Sequence, residues 1–227
     1  MATDHQNVVP LPLLEGGSIE DTLSGFAAQI DRDAHVGRRL ERAVSVVVLE
    51  IRGWDGIRDA LDSERAGLLL HRTVERVLDA AETLGPEEVS LEGHPTRPVV
   101  TARFAGDDHP LRAVAAAQAM RDAAGCLLHP SMADRFQGCA GVNSGTVVDA
   151  HVAGSGIAFS SNGTTRMFAE RLQGFAGPGQ VFVSEATYRA VARDLEVTPV
   201  GAVRTSPDGE RSEAYCVHSL LRRVSDR

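Results

Sequence analysis

The sequence predicts an α+β domain built on a mainly antiparallel sheet, and three observations carry that reading. Residues 44–55 read V-S-V-V-V-L-E-I-R-G-W-D, the β-branched apolar run of a buried strand. Leu61, Ala66, Leu69, Leu70, Val74, Val77 and Leu78 then recur mainly on one face of a helix. Strands and helices alternate along the chain, but hairpins interrupt them, which excludes a doubly wound parallel sheet. The order β-α-β-β-α-β-α-β-α-β-β suits a β-α-β-β-α-β core with helices on one face of the sheet.

Residues 1–17 contain Pro10, Pro12, Gly16 and Gly17 without a sustained period, the pattern of a flexible arm. Ser18, with Asp21 three residues on, starts a helix whose stripe is Ile19, Leu23, Phe26 and Ile30. Charge-dense residues 31–42 continue it to the first strand. Such a helix packs on its own domain or pairs with a second copy, and the residues leave both open. After the strand, a helical pattern runs from Trp54 to about Leu84, where Gly85-Pro86 stops it.

Residues 88–92 and 98–104 are short strands joined by G-H-P-T. Residues 109–127 form an Ala-rich helix, and D-D-H-P ahead of it reads as a loop with an N-cap. Residues 136–152 hold two strand-like runs, C-A-G-V-N and T-V-V-D-A-H-V, parted at Ser144-Gly145. A third helix spans 164–175 and is closed by A-G-P-G-Q. Residues 181–184 are a buried strand, 185–193 a short helix, and strands at 197–204 and 213–217 flank the turn S-P-D-G-E. The predicted partition is an arm (1–17), a helix (18–42), one domain (43–220) and a tail (221–227).

Composition narrows the function. At 227 residues the chain suits one sizeable domain with an appendage. A formal net charge of −8 argues against a nucleic-acid footprint, which needs a positive face. No apolar run approaches the roughly 18–20 residues that span a membrane. The start, M-A-T-D-H-Q-N, lacks the basic and apolar regions of a signal peptide. Cys126, Cys139 and Cys216 form neither a C-x-x-C nor an even-numbered framework, and reduced thiols in a cytoplasmic protein are expected.

Five segments in order bring a resemblance into view: V-V-L-E-I-R-G-W, H-P-L-R-A-V-A-A-A-Q-A-M-R, G-V-N-S-G-T-V-V, N-G-T-T-R-M-F-A-E-R-L and G-P-G-Q-V-F-V-S-E-A-T-Y. Over residues 44–218 the chain resembles the class III nucleotidyl cyclase homology domain, the family of adenylate and guanylate cyclases. The resemblance implies a ferredoxin-like βαββαβ core, with G-V-N-S-G-T-V-V as a hairpin entry. It also implies a reaction in which the ribose 3′-oxygen attacks the α-phosphate and pyrophosphate leaves. Two metal ions, about 3.5–4 Å apart in such sites, activate the nucleophile and steady the leaving charge.

The family's functional positions are mostly altered here. Where it places two metal-bridging aspartates, this chain has Glu50 and His94. The longer Glu50 side chain shifts its carboxylate by about one bond length, and an imidazole suits zinc, copper or nickel better than Mg²⁺. Pro95 also stiffens the turn. At the base-selecting lysine and aspartate positions stand Ser90 and Ser160, which lack charge-assisted strength. At the transition-state asparagine and arginine positions stand Met167 and Arg171. A thioether donates no hydrogen bond, and losing one such donor typically costs about 2.7–4 kcal/mol of barrier. Only Arg171 stands as the family writes it.

The resemblance therefore implies a catalytically degenerate cyclase homology domain, acting as a regulatory, ligand-binding or scaffolding module. It pairs as a homodimer, or as a heterodimer with another cyclase-type domain, and holds a small molecule or nucleotide in the old cleft. No cofactor is expected. The alternative is a divergent active cyclase that turns ATP or GTP into a 3′,5′-cyclic nucleotide with Mg or Mn. Each residue also has a plainer role: Glu50 as the edge of a core strand, Arg171 in a salt bridge with Asp149 as one candidate. A transition-metal site at Glu50 and His94 lacks a third ligand.

Overall fold

The computed structural model describes residues 36–94, 97–125, 137–152, 158–161, 163–206 and 209–221. The predicted arm, residues 18–35 of the predicted first helix and residues 222–227 of the tail lie outside them. By compactness the chain divides into residues 1–39 with 150–159, and residues 40–149 with 160–227. The described part of the first unit consists of strand residues, and the architecture below is that of the second.

The apolar run forms strand β1, Val36–Arg52. Residues 36–42, expected to be helical, are thus strand. Gly37 is a poor helix former, and the strand extends through the charged stretch. Two helices follow where one was expected, α1 (Trp54–Ala60) and α2 (Ser63–Glu82). The break has a local cause: Asp62 accepts a hydrogen bond from the Arg65 N–H at 2.8 Å and caps α2.

Strands β2 (Glu88–His94) and β3 (Arg97–Ala105) form the expected hairpin, followed by α3 (His109–Gly125). Strand β4 (Gln137–Val152) runs straight through Ser144-Gly145, where a hairpin entry was expected. Gly145 is a packing gap instead of a turn: a Cβ there would meet Thr165 Oγ1 at 2.6 Å. Strand β5 (Ala158–Ser161), which the sequence pattern did not reveal, pairs with β4. Then come α4 (Gly163–Phe175), β6 (Val181–Ser184), α5 (Glu185–Val191), a 3₁₀ turn, β7 (Leu195–Arg204) and β8 (Arg211–Leu220).

The eight-stranded sheet has the order β2-β3-β1-β4-β6-β8-β7, with β5 beside β4. Pairs β1–β3, β2–β3, β6–β8 and β7–β8 are antiparallel, whereas β4–β6 is parallel over Ala140↔Val181, Gly141↔Phe182 and Val142↔Val183. Strand β1 feeds both faces, as a period of two requires. Val47, Leu49 and Ile51 pack with α2 and α3, while Val44, Val46 and Val48 pack with Ala169 of α4. Helices therefore cover both faces, not the single face expected. Each fully buried side chain of this kind contributes about 1.5–3 kcal/mol.

Two contacts fix the helices on the sheet. At Gly141 a Cβ would overlap the Ala169 carbonyl and the Gln173 backbone nitrogen and come within 2.9 Å of Leu172 Cβ, so α4 lies directly on β4. On the other face, a chain of hydroxyls ties four elements together. Ser45 Oγ lies 2.8 Å from His109 Nδ1 and 2.6 Å from Ser144 Oγ, which is 2.9 Å from Thr187 Oγ1. Ser184 Oγ accepts from the Thr187 N–H at 3.2 Å and caps α5.

Burial pulls the His109 imidazole below its usual pKa, aided by the charge of Arg112 and opposed by Asp108. The unfolded chain then binds this proton more readily than the folded one. The stability linked to neutral His109 is complete above the ordinary imidazole pKa of about 6.5 and erodes as pH falls through the folded value. Urea unfolding between pH 5 and 7.5 should show this slope in the native protein and a flatter one in His109→Asn. Equal slopes would remove His109 from the account.

Candidate functional site

The site is built at the C-terminal end of β1. Glu50 sits opposite Val99 of β3 and is 4% exposed. A carboxylate this deep needs partners, and it has three. Arg97 reaches Oε1 through Nε at 2.6 Å and also through Nη2. Arg52 Nε and Gln173 Nε2 each donate to Oε2 at 2.8 Å. Burial raises the Glu50 pKa, but hydrogen bonds from Arg52, Gln173 and Arg97 outweigh it and hold the carboxyl below its ordinary range. Glu50 is an ionised, enclosed anion.

Arg52 does a second task. Its Nη1 donates to the Ala176 carbonyl at 2.8 Å and its Nη2 to the Gln173 carbonyl at 3.1 Å. These oxygens belong to the C-terminal end of α4, where a cation suits the helix dipole. The same arginine therefore fastens the strand carboxylate to the helix end. Gln173 closes the ring, giving its carbonyl to Arg52 and its amide to Glu50.

The remaining predicted positions are spread along this face. His94 ends β2, opposite Arg97 in the ladder; its side chain lies outside the described set. The preceding Gly93 has φ +94, and a Cβ there would stand 2.6 Å from the Arg97 carbonyl, so the turn requires glycine. Ser90 donates to Glu92 Oε1 at 3.2 Å. Glu92 in turn forms a forked pair with Arg166 of α4, at 3.0 and 2.6 Å, which lowers the Glu92 pKa despite some burial. Ser160 lies in β5, its side chain outside the described set. Met167 and Arg171 stand one turn apart on α4; Met167 is exposed, and Arg171 Nη1 donates to the Arg204 carbonyl at 3.1 Å. The side chain of Asp149, the acid considered for Arg171, lies outside the described set.

Glu50 as placed offers a divalent ion no free oxygen. Both oxygens of Glu50 are engaged by nitrogen donors, and two of those donors are cationic. Among the described residues no group of three or more His, Cys, Asp or Glu side chains could hold a metal. The Arg97, Arg52 and Gln173 contacts were not anticipated from the sequence, nor was the Glu92–Arg166 pair. A cavity of about 360 Å³ is lined by residues including Asn143, Thr146, Thr165, Ser184, Thr205 and Ser212. Another, of about 560 Å³, follows the charged face of α2. Neither lining includes Glu50, Ser90 or Arg171. No helix among the described residues is long and apolar enough to cross a membrane.

No protein-family model and no curated protein matches the sequence. Solved structures do match the fold. The adenylyl cyclase CyaB from P. aeruginosa aligns with a TM-score of 0.61 at 16% identity, over 80% of this chain and 96% of that one. The guanylyl cyclase Cya2 gives 0.63 at 17%, over 80% and 94%. A dimeric guanylyl cyclase domain of the RhoGC fusion protein from the aquatic fungus Blastocladiella emersonii gives 0.61 at 16%, over 81% and 99%. The fold is that of class III adenylyl and guanylyl cyclase domains, as the sequence resemblance implied.

Proposed function

We propose that this chain is a cyclase homology domain that has lost catalysis and works as a regulatory, ligand-binding or scaffolding module. The observation that carries the reading is the enclosure of Glu50, whose carboxylate is committed to Arg97, Arg52 and Gln173. The acid needed to hold an ion for cyclisation instead anchors α4. Met167 adds to this, since an exposed thioether one turn before Arg171 donates nothing to a ribose or phosphate oxygen. The proposed partner is a second cyclase-type domain, identical or different; one structural neighbour is a non-canonical dimer of guanylyl cyclase domains, although the same fusion protein's domain is also found as a monomer. Arg171 and the serine positions Ser90 and Ser160 are the residues proposed to meet a small molecule or nucleotide as ligand, without a metal cofactor.

The test is calorimetric titration with ATP and GTP, each with Mg²⁺, Mn²⁺ or EDTA, followed by assay of the same samples for cyclic nucleotide. Neither metal-dependent binding nor product is expected. Product that disappears in Glu50→Ala would establish the competing reading, a divergent active cyclase.

A further inference from the structure

The carboxylate at the end of β1 already has a cation of its own. Arg97 lies at the start of β3, two residues before the ladder partner of Glu50. Its Nε and Nη2 both converge on Oε1, while Arg52 and Gln173 occupy Oε2. Two guanidinium groups thus face one carboxylate that is 4% exposed. The two arginines differ in what else holds them. Arg52 is tied to two helix carbonyls and shielded, whereas the Arg97 side chain is 68% exposed and reaches inward from the rim only at its head. Arg52 is therefore a fixed part of the scaffold, and Arg97 is the group an ion would have to displace.

We propose that Arg97 is a built-in cation that stands in place of a divalent metal at Glu50. It neutralises the carboxylate without an ion and keeps divalent ions out, because an incoming ion meets positive charge where it needs a free oxygen. This deepens the reading that the domain is catalytically silent, and rests on it. It makes Arg97, a residue outside the positions the sequence resemblance singled out, the one of the two cations at Glu50 that is free to be displaced, Arg52 being tied to the helix end. A methylene stem with a fixed charge fills the role only because Glu50 lies within reach of the β3 rim. Lysine, a compact point charge on a flexible stem, preserves the charge but not the planar fork.

The experiment compares the native protein, Arg97→Met and Arg97→Lys, each in EDTA and in millimolar Mn²⁺. Thermal unfolding and the electron paramagnetic resonance signal of free Mn²⁺ are the readouts. Because Arg97 is largely exposed, Arg97→Met removes a charge and little packing. Native protein and Arg97→Lys should leave Mn²⁺ free and unfold at the same temperature with or without it. Arg97→Met should unfold earlier in EDTA, recover part of the loss in Mn²⁺, and deplete the free Mn²⁺ signal. That response should vanish when Glu50→Gln is added. The proposal is overturned if Arg97→Met shows no Mn²⁺ response, or if the native protein binds Mn²⁺ in a way that Glu50→Gln abolishes. Silence of Arg97→Met toward Mn²⁺ would leave the loss of catalysis standing, whereas cyclic nucleotide made by the native protein would remove that reading directly.

Discussion

Replacing Gly141 by alanine should lower the thermal unfolding midpoint by about 6–12 °C, the largest effect expected of any single methyl group here. The added Cβ would overlap backbone atoms of Ala169 and Gln173, not the tip of a movable side chain. Overpacked cores typically lose about 1–3 kcal/mol by shifting rotamers. That route is closed where the obstacle is a helix backbone, so a loss of about 3 kcal/mol is expected. If α4 moves out to admit the methyl, the Gln173 amide leaves Glu50 and the Arg52 bonds to the helix end are strained. Calorimetry of Gly141→Ala measures this. A midpoint within 2 °C of the native value, against the roughly 2–4 °C expected per kcal/mol, would mean that α4 does not rest on β4 as described.

Glu50→Ala should cost about 3 kcal/mol, the low end for breaking a buried charge pair. It leaves Arg52 without its carboxylate, held only by the helix-end carbonyls, while Arg97 is free to turn to water and softens the loss. The pH dependence gives a second signature. Since the folded pKa of Glu50 is depressed, its contribution is complete above the ordinary carboxylate value of about 4.3 and is lost as pH falls toward the folded value. Native protein should therefore lose its advantage over Glu50→Gln in that acid window and in no other. An advantage that persists through the window would show that the Glu50 charge contributes nothing.

Much of the fold could be read from the chain because its signals are local. The run V-S-V-V-V-L-E-I and the turn at Gly93 each depend on near neighbours. The misreadings arose where a residue answers to distant structure. Gly145 resembles a turn signal, yet it is a gap left for Thr165 in the middle of a strand. The site was half legible. Glu50 drew attention as an acid in an apolar run, and Arg52 stood two residues away without an assigned partner. Gln173 lies 123 residues from Glu50 and has no periodicity that points to it. Arg97 was within reach of reasoning, since the hairpin around Gly93 and the Glu50↔Val99 register together bring it to the carboxylate. That step needed the β1–β3 register, which a single sequence does not fix.

The parallel rungs between β4 and β6 have a consequence for how the two halves of the sheet are held together. In the ladder the sheet is two halves, β2-β3-β1-β4 and β6-β8-β7, and each contains a local antiparallel hairpin. Hairpins close within microseconds, whereas β4 and β6 are joined through a crossover that includes α4. Just three residue pairs then hold the join, and β6 is four residues long and buried throughout. Non-local pairings of this kind set the pace of folding. The seam at Gly141 is thus the narrow join between the two halves, and the helix packed against it is the one Glu50 anchors.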